Sequence, residues 1–321
     1  MHRDGKHQIR LGLALGGGAA RGLAHIGILR VLEQEGIPIS VIAGSSIGAI
    51  IGGLYAYYRS VDEVEDHIIR IIQHPVTEKL GLQFIGEEGF KLPREFDFED
   101  VLVYFKLQLS LIKVFNKPYF FDPELVDELY SLLPDPKIEN LPIRFGAVAT
   151  DLISANEVLF QKGSFRKALQ ASSAIPGIFP PVKYRNYQLV DGATTNAVPV
   201  EEAREMGADV VIAVDVSKDI HWVRNIDNAL GILYRVDEIA SYLLTQRRLR
   251  EANLVLMPDV GRINWADFST PQAIIQKGEQ VARRFLPQIR ELIERGGEHK
   301  PAPLERIKTY VESLWAAFKR S

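Results

Sequence analysis

Residues 13–29 read LALGGGAARGLAHIGIL, and residues 42–53 read IAGSSIGAIIGG. Each is an apolar run, a glycine-containing turn, and a second apolar run at helical spacing. In the first, IRLGLAL (9–15) has the near-continuous apolar character of a strand covered on both faces. Leu23, Ile26, Leu29 and Leu32 then recur at helical spacing up to Gly36, which stands where a helix C-cap glycine belongs. In the second, ISVIA (39–43) is a short strand and residues 47–58 form an apolar helix. This β-α-β-α order with short connections predicts parallel strands joined by right-handed crossovers. Residues 41–58 carry no charge and approach the length of a membrane span, but Gly44, Gly48, Gly52, Gly53 and a serine pair interrupt them, which favours strand, turn and helix.

The pattern returns with IRFGAVAT (143–150), QLVD (188–191), DVVIAVDV (209–216) and NLVLMPD (253–259) as further strands. Helices are predicted near residues 165–171, 199–206 and 227–252. The fold class is therefore α/β, a three-layer α/β/α sandwich around a mainly parallel central sheet. Residues 1–268 are expected to form one domain, within which residues 60–140 break the rhythm as a helical cap or insert. Residues 269–321 are expected to be a helical extension packed on the same domain, starting at Thr270 and Pro271 and kinking at Pro287. Two apolar segments are candidates for lipid or membrane contact, residues 103–121 and residues 304–318. Packing on the sheet, and dimerisation for the second, are the competing uses.

Across 321 residues, 46% are hydrophobic and 25% charged, as in a globular protein with a sizeable core. A net charge of −3 gives no pull toward nucleic acid, which is excluded as a partner. With no cysteine, thiol nucleophiles, thiolate metal sites and disulfides are excluded, and the expected location is the cytoplasm. His2, Arg3, Lys6 and Arg10 precede an apolar run as in a signal peptide, but that run holds four glycines and no cleavage site follows it.

Three chemistries use a strand, a glycine turn and a helix. The dinucleotide pattern G-x-G-x-x-G fails, because from Gly16 its last position is Arg21 and from Gly17 its third is Ala19. A P-loop fails because Leu23 and Ala24 stand where Lys and Ser or Thr are needed. The third is an oxyanion hole, where backbone N–H groups converge on a developing negative charge and side chains would obstruct the approach of Gly16, Gly17 and Gly18. GSSIG, comprising Gly44, Ser45, Ser46, Ile47 and Gly48, is a nucleophile elbow that exposes Ser46 at the carboxyl end of the sheet. The base for Ser46 is left between two arrangements: a triad closed by a late histidine, His221 or His299, and direct action by Asp191, which ends the strand LVD before Gly192. His25 reads as packing or solvent-facing, and Asp151 as structural.

GGGAARG, GSSIG, ASSAIPGIFPP (171–181) and DGA, in that order, resemble the patatin-like phospholipases, specifically the bacterial branch related to the catalytic domain of neuropathy target esterase. The resemblance runs from about residue 11 to PDVGRINWADF, ending at residue 268. It implies a patatin-like fold and a serine–aspartate dyad in which Ser46 attacks a lipid ester and Asp191, of the Asp191, Gly192, Ala193 motif, is the base. It also implies an oxyanion hole from Gly16, Gly17 and Gly18 with their neighbours Ala19 and Arg21, and no metal or cofactor. One departure is Ala19, where many bacterial members carry a fourth glycine. The implied reaction is hydrolysis of phospholipids or lysophospholipids through an acyl-serine. The open alternatives are an inactive lipid- or partner-binding member, and a triad completed by His221. The oligomeric state is left open.

Overall fold

The computed structural model describes residues 9–80, 119–217, 226, 229–260 and 267–296. Strand β1 (Leu11–Leu15) lies at the centre, every residue buried, paired in parallel with β2 (Ile39–Ser45) and β7 (Val210–Val214). Outside these, β3 (Arg144–Asp151) pairs with β2 and β8 (Leu254–Leu256) with β7, again in parallel. Beyond β3 the sheet turns antiparallel, through β4 (Glu157–Phe160), β6 (Tyr187–Asp191) and β5 (Val182–Tyr184). Two of these strands, β4 and β5, are additions to the sequence reading.

Alternation along the strands separates two cores. Leu11, Leu13, Leu15, Ile42, Val210, Ile212 and Val214 join a large cluster with helices α1 (Ala24–Gln34), α2 (Ile47–Tyr58) and α3 (Val61–Ile72). Ala14, Val41, Ala43, Val211 and Ala213 point the other way, against α7 (Val200–Glu205) and Leu249 at the end of α8 (Ala229–Leu249). Sheet between two helical layers is the result, the α/β/α arrangement of a mostly parallel sheet with both faces covered.

The register of β3 positions everything that follows. Val148 pairs with Ser45 of β2, and the next residue, Ala149, pairs with Asp191 of β6. Over the same stretch β4 occupies the opposite edge. Strands β2 and β6 therefore meet end to end along one edge of β3.

Within the 60–140 insert, the described part contains α3, α4 (Pro75–Lys79) and α5 (Pro123–Ser131). Most of the 103–121 segment lies outside the described residues. Its last residues are tied to the domain, Phe120 and Phe121 both donating through their N–H to Ile178 O, at 3.1 and 3.0 Å. The last helix among the described residues, α9 (Pro271–Glu294), continues through Pro287 and packs along α1, while residues 304–318 lie outside the described residues.

Helices α1 and α9 touch through backbone. A Cβ on Gly27 would lie 2.0 Å from Ile275 O, and one on Gly278 would lie 1.9 Å from Ala24 O. Arg30 bonds Glu279 at 2.7 Å alongside this contact. Since neither carbonyl can withdraw without moving a helix, Gly278→Ala is expected to lower stability by about 1–3 kcal/mol. Urea unfolding of the two proteins measures it.

Candidate active site

Ser46 lies between the last residue of β2 and the first of α2, with φ 55° and ψ −127°. Such a conformation costs a residue with a side chain about 1–3 kcal/mol and persists only where its surroundings impose it. Here the Ser46 N–H donates to both the carbonyl and the hydroxyl of Ser172, each at 3.1 Å, from the end of α6 (Phe165–Ser172). The glycines of the elbow allow the approach. A Cβ on Gly48 would fall 2.2 Å from Leu15 O, and one on Gly44 would fall 2.5 Å from Ala49 Cα.

Asp191 arrives from the facing end of β6. Ser46 Oγ donates to Asp191 Oδ2 at 2.6 Å, and Ala193 N–H donates to Oδ1 at 2.8 Å. The Asp191 N–H is held by Ala174 O at 2.9 Å, and its carbonyl accepts from Thr150 Oγ1 at 3.2 Å. Burial pushes the carboxyl pKa up to about 6, against the opposing pull of the hydrogen bonds from Ser46 and Ala193. A raised pKa makes this aspartate a stronger base than an exposed one, and it already holds the hydrogen bond along which a proton would move.

Close beside this pair runs the glycine loop: a Cβ on Gly17 would lie 3.2 Å from the Cβ atoms of both Ser46 and Ala193. Its amides divide into two pairs. Gly16 N–H donates to Val214 O and Gly17 N–H to Ala197 O, both at 3.0 Å, so these two are committed to neighbouring backbone and are removed from the expected oxyanion set. Among the described residues the N–H groups of Gly18 and Ala19 have no partner. Arg21 is buried in the turn that follows, Ala19–Leu23, which leads into α1.

Of the remaining candidates, Asp151 closes the β3–β4 turn by accepting from Ser154 Oγ at 2.6 Å and Gln188 N–H at 2.9 Å. His221 and His299 lie outside the described residues. Two residues that sequence reasoning did not assign to the site belong to its framework. Ser172 sits inside the quoted ASSAIPGIFPP motif, and His25, fully buried, places Nε2 2.8 Å from Gly16 O. Among the described residues no helix is long and apolar enough to cross a membrane.

The family model described as Patatin-like phospholipase matches residues 13–204. The chain belongs to this family. Patatin-like relatives include Lysophospholipase NTE1 of Yarrowia lipolytica, 26% identical over 93% of this chain and 21% of the relative. Uncharacterized NTE family protein Rv1063c of Mycobacterium tuberculosis is 32% identical over 66% of this chain and 51% of its own length. This chain thus spans about half of one of these curated relatives and about a fifth of the other. The solved structure of VipD from Legionella pneumophila aligns with 88% of this chain and 67% of its own, at 12% identity and a TM-score of 0.47.

Ala19 has φ 48°, a left-handed conformation that glycine adopts without the strain a Cβ brings. Ala19→Gly is expected to raise stability by about 1 kcal/mol, read from denaturant midpoints. Asp191 gives a pH-dependent counterpart. Its folded pKa near 6 exceeds the ordinary carboxylate value, so the stability tied to its proton is present below about pH 4 and lost as pH rises through 6. At pH 8, Asp191→Asn should be more stable than wild type by up to about 3 kcal/mol, a gap that closes toward pH 4 in parallel melts.

Proposed function

We propose that the chain is a lipid acyl hydrolase that cleaves carboxylic esters of phospholipids or lysophospholipids through an acyl-serine intermediate. The observation that carries this reading is the 2.6 Å bond from Ser46 Oγ to a buried Asp191 carboxylate. Family membership and the name of the Yarrowia relative, a lysophospholipase, support the lipid ester as substrate.

In the proposed sequence, Ser46 Oγ attacks the ester carbonyl carbon while its proton passes to Asp191 Oδ2. The carbonyl oxygen becomes an oxyanion and accepts hydrogen bonds from the N–H groups of Gly18 and Ala19. Collapse of this intermediate breaks the bond to the alcohol, which leaves with the proton from Asp191. Water, deprotonated by the same carboxylate, then attacks the acyl-serine, and the bond to Ser46 Oγ breaks as Asp191 returns its proton to that oxygen, releasing the fatty acid and free Ser46. Substrate chemistry is thus handled by one carboxylate acting twice, with backbone amides stabilising the charge between.

A fluorophosphonate probe should label the wild-type protein at Ser46 and leave Ser46→Ala unlabelled. With a panel of glycerophospholipids and lysophospholipids, fatty-acid release should fall about 10⁴-fold or more in Ser46→Ala and in Asp191→Asn. Because Asp191 must be ionised to act, kcat/KM should fall about tenfold per pH unit below a pKa near 6. An unlabelled, folded wild-type chain that releases no fatty acid overturns the proposal and leaves a binding protein.

A further inference from the structure

We infer that His25 is a positioning residue for the amide donors of the glycine loop, acting through the Gly16 carbonyl; the inference rests on the hydrolase reading above. His25 lies in the first turn of α1 and is fully buried, with Nε2 2.8 Å from Gly16 O. A carbonyl oxygen only accepts, so Nε2 carries the proton and Nδ1 is a bare lone pair. Among the described residues Nδ1 has no hydrogen-bond partner. A buried polar nitrogen left unpaired costs about 1–3 kcal/mol, which an apolar side chain of similar size would avoid. Packing alone therefore does not account for an imidazole here.

Its geometry does. The peptide unit between Gly16 and Gly17 is held at both ends, its oxygen by His25 Nε2–H and its N–H by Ala197 O at 3.0 Å. Gly16 N–H is held by Val214 O at the same distance. With no Cβ on three successive residues, the backbone itself does little to resist rotation, so these bonds from α1, the 197 loop and β7 define the peptide plane. The next two amides are those of Gly18 and Ala19, without a partner among the described residues and following directly on Gly17, where a Cβ would lie 3.2 Å from Ser46 Cβ. Rotation of the clamped peptide would swing those donors off the oxyanion they must meet, and donors fixed in advance are what lowers the barrier. Burial holds the ring pKa near 4, so His25 remains a neutral donor above that range and adds no second titration to the rate profile.

His25→Phe removes the donor but keeps a ring. His25→Gln keeps a donor nitrogen at similar reach, and His25→Asn carries one a carbon shorter. Each is compared with wild type for kcat and KM on the ester that wild type hydrolyses best, for the rate of fluorophosphonate labelling, and for the melting midpoint. His25→Phe and His25→Asn should lose about 10- to 100-fold in kcat with KM changed less than about threefold, and labelling should slow in parallel. His25→Gln should recover most of the loss. The imidazole ¹⁵N spectrum of wild type should hold the Nε2–H tautomer throughout about pH 5 to 8. If His25→Phe does not fold, the contrast between Asn and Gln carries the test. Full kcat in a folded donor-less variant overturns the inference, as does loss in Gln equal to that in Asn. A wild-type protein that neither labels nor hydrolyses removes the hydrolase reading, and this inference with it.

Discussion

One edge of β3 carries the ends of two other strands, and the site exists because of that constraint. Val148 pairs in register with the end of β2 and Ala149 with the end of β6, so Ser46 and Asp191, 145 residues apart, are brought together by backbone register. Side-chain attraction does not have to assemble the pair. A slip of β6 by one residue would turn the Asp191 side chain to the opposite face of the sheet. Gly192 is placed by the same junction, its α-hydrogen side close against Val148 O, where a Cβ would stand at 2.2 Å.

Holding the pair in this form is unfavourable locally. Ser46 occupies a strained conformation, and Asp191 is a carboxyl group deprived of water. Both are over-determined by neighbours: Ser172 fixes the Ser46 amide, Ala174 fixes the Asp191 amide, and Gly48 lets α2 start directly on the Leu15 carbonyl. The two sheet cores and the backbone contact of α1 with α9 supply the rigidity against which such a site can be held. In the proposed reaction, the strained serine and the carboxylate with a raised pKa are the form in which that local cost becomes reactivity.

Much of this was legible in the sequence, for a physical reason. Buried parallel strands and their crossover helices repeat apolar residues over long enough stretches to be recognised, so β1, α1, β2 and α2 could be placed from residues 9–58. Ser46 and Asp191 stood out because turn glycines mark strand ends. The three-residue β5 is too short to show a period, and β4, with Glu157 and Val158 only half-buried, lacks the continuous apolar run of the parallel strands. Nor could the sequence show that the Gly16 and Gly17 amides are occupied, because their acceptors, Val214 and Ala197, become neighbours only in three dimensions. Ser172 and His25 were hidden for the same reason: a serine at a helix end and a histidine on an apolar helix face have no periodic signature, and their bonds belong to the tertiary structure.

The segment from residue 191 to 197 links base and loop more closely than either motif suggests. Asp191 supplies the carboxylate, and Ala193 N–H orients it. Asn196 N–H bonds Gly192 O at 2.8 Å, which folds the segment back, and Ala197 O then takes the Gly17 amide. Seven residues thus fix the Asp191 carboxylate at one end and the glycine loop at the other. Base and amide donors cannot drift independently, because a displacement of this segment carries both. The proposed reaction, in which proton removal and oxyanion stabilisation coincide at one carbonyl carbon, needs that coupling, since donors fixed relative to the carboxylate require no reorganisation when charge develops.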